Sequence, residues 1–190
     1  GNLLFHDVVF PFPPKGNAEN AARHFAKIAA KYSIEAVAVG NGTASRETTD
    51  ILNKVFSEGD NQKPVYVVSE DGASIYSASK IARDEFPDQD VTVRGAVSIA
   101  RRLMDPLAEL VKIDAKSIGV GQYQLDVDQT KLKKSLDQTV ENCVNLVGVN
   151  VNTASQQLLT YISGLGPALA KNIIEYRREN GDFTSRAKLK

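Results

Sequence analysis

The sequence predicts an α/β unit followed by an all-α unit. Two patterns carry this reading. Short apolar runs alternate with runs of helical period through the first half of the chain, as parallel strands joined by helices require. From about Asp126 onward the periodicity is helical only. A boundary is therefore expected near residue 125, giving units 1–124 and 125–190.

Residues 3–10 alternate enough apolar and β-favouring side chains to predict a strand, stopped by Pro11, Pro13 and Pro14. Ala21, Ala22, Phe25, Ile28, Ala29 and Tyr32 then recur at helical spacing, so 18–32 reads as a helix. Residues 35–40 form a short apolar run ending in Gly40 and predict a buried strand. After the loop 41–45 comes a helix carrying Ile51, Leu52, Val55 and Phe56. Residues 64–68 predict the next strand. Ser69 to Gly72 lead into a helix with Ala78, Ile81, Ala82 and Phe86, stopped at Pro87. Val91-Thr92-Val93 is a further short strand candidate, and 95–104 a helix. Asp105-Pro106 has the form of an N-cap followed by a first helical proline. Gly119 and Gly121 mark a turn-rich stretch. Leu132, Leu136, Val140, Cys143 and Val147 form one long apolar stripe. Helices near 153–161 and 167–180 complete the chain.

Composition narrows the class. Apolar residues make 42% of the 190 and charged residues 24%, the proportions of an ordinary globular protein. Lysine plus arginine equals aspartate plus glutamate, so no overall basic bias favours nucleic acid. The single Cys143 rules out an intrachain disulfide and fits a reducing, cytoplasmic setting. Its place in the stripe predicts a buried core thiol. The sequence shows neither a leader peptide nor an apolar run of membrane-spanning length, so no membrane partner is expected.

The stretch 161–174 carries the functional expectation. Gly164, Leu165 and Gly166 form a turn, Pro167 opens a helix, and Ala170, Ile173 and Ile174 share its inner face. Unpaired N–H groups at such a helix start, with the positive end of its dipole, favour an anion. The stretch, with Val151 to Ala154 before it and Tyr176 to Phe183 after it, resembles the helix–hairpin–helix motif. That motif binds nucleic-acid backbone irrespective of sequence. The expected contacts are Gly164, Leu165, Gly166 and Ala168 through the backbone, with Lys171 and Arg177 adding charge. A hairpin that only packs helices or docks a protein domain is the competing reading, because Glu175, Glu179 and Asp182 stand among the cations.

Other candidates read as structural. Gly40 to Ser45 sits between a strand and a helix, as a phosphate loop would, but lacks the third glycine of a dinucleotide fingerprint. Thr43 or Ser45 is expected to cap the helix. Glu70 lies at the C-terminal end of a strand, where α/β sites gather. A two-metal nuclease needs several converging carboxylates. Asp71, Asp126 and Asp128 are not placed to supply them, and solvated or capping roles are expected for all four. His6, His24 and Cys143 have no zinc spacing. No metal or cofactor is expected. Arg101-Arg102 reads as a salt-bridged helix face.

Taken in order, 39–48, 69–79, 94–103, 105–110, 116–124 and 149–154 resemble the Tex family of bacterial transcription accessory proteins. The resemblance implies a YqgF-type, RNase H-like domain followed by helix–hairpin–helix, within a longer protein that ends in an OB-fold RNA-binding domain. It further implies that this chain is a fragment: the family's first strand, which bears the leading acid of active relatives, is absent. Glu70 is then a vestige of a catalytic site. Without that strand, 3–10 is expected to pair in a new place or to form a dimer through an exposed sheet edge. The function expected is non-catalytic, sequence-independent binding of RNA or DNA backbone in transcription. A scaffolding module within the transcription machinery is the alternative, and a metal-dependent nuclease ranks last.

Overall fold

The computed structural model describes residues 2–57 and 62–189. They separate into two compact units, Gly1–Met104 and Asp105–Lys190. The change of pattern near 125 therefore falls inside the second unit. The reason is local to that unit: helix α6 (Pro106–Leu110) packs on α9 (Gln156–Thr160), and Leu107, Ala108 and Val111 lie against its core.

In the first unit, α1 (Ala18–Lys31) starts at Asn17, whose side chain accepts the Asn20 N–H at 2.8 Å. Strand β1 (Val37–Gly40) pairs in parallel with β2 (Val65–Val68), Val39 opposite Val67. Helix α2 (Ser45–Phe56) buries Ile51, Leu52 and Phe56. Leu52 and Phe56 join Val39, with Phe25 and Ala29 of α1 packed against them. Helices α3 (Ala73–Ala78) and α4 (Lys80–Glu85) are separated at Ser79, which leaves the helical region (φ −70°, ψ 161°) and caps α4 through its hydroxyl. The expected single helix is thus two. Helix α5 (Val91–Met104) packs along α3. Small residues, Ser77 and Gly95, face each other there and allow close approach.

Three further expectations fail in this unit. Residues 3–10 form no strand, and the new pairing expected of them is not made. They lie instead beside α1, with Phe5 stacked on Tyr32 at 5.7 Å and Asp7 against His24 at 3.0 Å. Strand propensity describes fit to a neighbouring strand, and among the described residues no strand lies beside 3–10. Val91-Thr92-Val93 is helical, because the Asp90 carboxylate accepts the N–H groups of Thr92 and Val93 and starts α5 there. Neither Thr43 nor Ser45 caps α2; Ala44 holds the cap position without a side-chain bond.

The second unit is helical. After α6 come α7 (Ala115–Ile118), α8 (Gln129–Val147), α9 and α10 (Pro167–Asn180). Asp105 caps α6 and Asp128 caps α8, as residue type predicts. Val144, Ala154, Leu158, Leu159 and Ala170 form the core, with Ile173 and Ile174 packed on it. Cys143 is exposed, correcting the buried thiol expected of it. Val144, one position on, takes the inward place at 0% exposure. Among the described residues, no helix is long and apolar enough to cross a membrane.

Candidate nucleic-acid interface

Ser155 opens α9, its hydroxyl accepting the Leu158 N–H at 3.2 Å. The helix ends at Tyr161, and the chain tightens through Ile162 N–H to Leu159 carbonyl (3.1 Å) and Leu165 N–H to Ile162 carbonyl (2.9 Å). Gly164 turns the chain at φ 85°, a left-handed conformation that a side chain opposes. Gly166 then stands at the N-cap of α10 (φ −74°, ψ 173°), offers no side chain, and is followed by Pro167 at the first position.

This geometry leaves donors without partners. Among the described residues, the backbone N–H groups of Gly164, Gly166, Ala168 and Leu169 have no protein acceptor. Space beside both glycines is open, since a Cβ on either would meet nothing within 4 Å. The 14-residue helix behind the turn adds the positive end of its dipole. No protein atom stands directly over these glycines, although Asp137 and Glu141 line the same groove as Lys133.

The sequence-derived contacts divide. Gly164, Gly166 and Ala168 present free N–H groups together. Leu165 does not: its N–H is used within the turn and its side chain packs on the core. Lys171 stands one turn along α10, exposed, with Nζ 3.5 Å from Glu175 Oε1. At that exposure the pair is weak and its lysine can turn to another anion. Arg177 is spent inside the unit. Its Nη1 donates to the carbonyls of Val151 (2.7 Å) and Ala154 (3.0 Å).

The side chains that hold the turn in place were not singled out from the sequence. Asn145 of α8 donates from Nδ2 to the Tyr161 carbonyl (2.9 Å), and its Oδ1 accepts the Ser163 N–H (3.1 Å). The Ser163 hydroxyl donates to Glu141 Oε1 at 3.3 Å. These partners lie 16 to 22 positions apart, beyond any local pattern. Tyr161 lies half-buried beside them. Burial raises its phenol above the usual value, and Asp137 pushes it the same way.

Glu70 occupies a different setting. It is exposed, its N–H donates to Asn41 Oδ1 at 3.0 Å, and its carboxylate lies over the 40–42 loop. A Cβ on Gly42 would fall 2.4 Å from Glu70 Oε1. One on Gly40 would fall 2.7 Å from Glu70 Oε2, so Gly40 and Gly42 make room for a carboxylate of the same chain. Asp71 accepts from the Ser69 hydroxyl at 3.0 Å, and Asp128 is bound to its own helix start. Among the described residues, no three His, Cys, Asp or Glu side chains gather as metal ligands would. Of the paired arginines, Arg101 meets Glu85 at 2.7 Å. Arg102, buried, donates to the Ser69 carbonyl at 2.7 Å.

Fold and site together define a two-unit protein, a mixed α/β unit and a helical unit whose hairpin leaves backbone donors open. Comparison with known families agrees with both parts. Residues 1–104 match the Tex protein YqgF-like domain, and residues 144–190 match the helix–hairpin–helix motif. The chain belongs to the Tex family. It is 59% identical to the transcriptional accessory protein Tex of Neisseria gonorrhoeae and 54% identical to protein tex of Bordetella pertussis, with all of this chain covered. It is 48% identical to the human S1 RNA-binding domain-containing protein 1, over 99% of this chain and 19% of that protein. The chain spans about a quarter of the length of the two bacterial relatives.

Proposed function

We propose that the hairpin binds the sugar–phosphate backbone of RNA or DNA without reading sequence and without catalysis. The observation that carries this is the set of open N–H groups at Gly164, Gly166, Ala168 and Leu169, at the start of a long helix. Backbone amides fix a phosphate but distinguish no base. The match to the helix–hairpin–helix motif supports the reading. So do relatives named for transcription and for RNA binding.

Fluorescence anisotropy against short DNA and RNA, single- and double-stranded, tests it at several salt concentrations. With about one phosphate neutralised, by Lys171, log Kd should change with log salt at a slope near 1 in magnitude. Gly166→Asp, which places a carboxylate among the donors, should abolish binding. Affinity indifferent to both salt and that change would refute the reading.

A second reading has its own support. Leu146 and Val147 at the end of α8 are 86% and 75% exposed, an adjacent apolar pair suited to a protein neighbour. Loss of nucleic-acid binding with retained capture of a transcription component would favour it.

A further inference from the structure

Beside the hairpin, one face of α8 carries a run of polar and charged side chains. Gln129, Lys133, Lys134, Asp137 and Glu141 recur at helical spacing. With Lys116 of α7 they line an open groove of about 690 Å³. A second groove, of about 670 Å³, is lined by Lys133, Asp137 and Glu141 together with the hairpin turn, including Gly164 and Gly166. The two grooves share those three side chains and so adjoin along α8, between its start and the hairpin turn.

Its length suits a nucleic-acid strand. Gln129 to Glu141 is about 18 Å of helix at roughly 1.5 Å per residue. A duplex strand advances about 3.4 Å along the axis per phosphate, so about five phosphates fit that span. The hairpin amides account for about two of them. Three lysines, Lys116, Lys133 and Lys134, line the remainder.

The charges have to be set against one another. Lys133 Nζ lies 3.5 Å from Asp137 Oδ2, with both side chains 54% exposed, a pair that a phosphate can displace. Glu141 is turned toward the Ser163 hydroxyl. Asp137 and Glu141, both in the lining, therefore oppose an anion there, and the three lysines attract one. A charged helix face is commonly no more than solvated. Here it differs in being continuous with unpaired backbone donors.

We propose that the adjoining grooves form a channel that is the second half of the binding site, with Lys116, Lys133 and Lys134 holding phosphates of the strand whose end the hairpin amides grip. The proposal rests on the hairpin reading and extends it by naming the track and its direction. The number of neutralised phosphates rises from about one to about four. The salt slope for duplex rises accordingly, from near 1 to between 3 and 4 in magnitude, at roughly 0.9 per phosphate.

The test uses the 190-residue chain and a short fluorescein-labelled oligonucleotide, duplex and single-stranded, across a salt series. Lys134→Glu and Lys116→Glu should each weaken binding about threefold to tenfold at low salt and make the slope shallower by about 1. Asp137→Asn should tighten binding about twofold to threefold, a gain that misfolding cannot produce. Thermal melts confirm that each variant folds. If all three bind like the parent with an unchanged slope while Gly166→Asp abolishes binding, the channel is wrong and the hairpin reading stands. If the parent chain binds none of the oligonucleotides, both fail.

Discussion

Arg177 donates from Nη1 to the carbonyl of Val151 at 2.7 Å, across 26 positions of sequence, and the same nitrogen reaches the Ala154 carbonyl at 3.0 Å. A cation on the hairpin's second helix is thereby a clasp. It ties the loop before α9 to α10 and satisfies two carbonyls that precede a helix start. Arg177→Ala should destabilise the second unit by about 1–3 kcal/mol, as expected for removing a charged donor from partly buried acceptors. The slope of affinity against salt should not change where the variant is folded. A denaturant melt and a salt series on the same sample separate the two effects. A shallower slope would return Arg177 to the phosphate contacts.

The two hairpin glycines should respond differently to alanine. Gly164 sits at φ 85°, so Gly164→Ala forces a side chain into the left-handed region at a cost of about 1–2 kcal/mol. Gly166 has an extended backbone that any residue adopts, with open space where the methyl would stand. Gly166→Ala should leave the melting temperature nearly unchanged, yet weaken oligonucleotide binding because the methyl projects where the phosphate approaches. Equal melting losses for both variants would contradict this account of the turn.

Asn152 and Phe183 form a reciprocal pair. The Asn152 Nδ2 donates to the Phe183 carbonyl at 3.0 Å, and Oδ1 accepts the Phe183 N–H at 2.8 Å. Phe183, 8% exposed, also stacks on Tyr176 at 4.7 Å, so this clasp holds the chain after α10 onto the unit. Asn152→Asp keeps the acceptor and removes the donor. It should cost about 1–3 kcal/mol by leaving a carbonyl facing a carboxylate. Amide hydrogen exchange at Phe183 should quicken in the variant.

Asp90 supplies a pH dependence. The Val93 N–H, and then that of Thr92, bond its carboxylate and hold it below the ordinary value of 3.8. A carboxyl depressed in the folded state contributes stability that is present above its unfolded value and lost as pH falls through the folded one. The contribution is therefore complete at neutral pH and declines as the pH falls toward and through 3.8. Asp90→Asn should lower the melting temperature at pH 7, with the difference from the parent narrowing as the solution is acidified past that value. A difference that stays constant to low pH would show that the charge does not matter.

Local chemistry explains what could be read before folding. Helices α1, α2 and α10, both strands and the Asp105-Pro106 start were legible, because periodicity, caps and breakers lie within a few residues of one another. The Gly164–Pro167 turn was legible for the same reason. Residues 3–10 misled because a strand is completed only by another strand. Val91 to Val93 misled because β-branched side chains were weighed without the cap at Asp90. The stripe along α8 pointed to Cys143, yet Val144 is the residue turned toward Ala154 and Leu158. Helical period alone leaves that choice between neighbours open.

By itself, the amino-acid sequence determined the class, an α/β unit followed by a hairpin of helices. It also determined where the open amides would fall, since a glycine that must turn left and a proline that cannot donate are properties of single residues. Tertiary structure decided which charged groups lie beside that turn and which are bonded elsewhere. It drew Arg177 inward, latched the turn with Asn145 and Glu141, and laid the lysines of α7 and α8 along the approach to it. Those outcomes depend on contacts between residues far apart in the chain. Such contacts exist only once the helices have packed and fixed which face of each one looks inward.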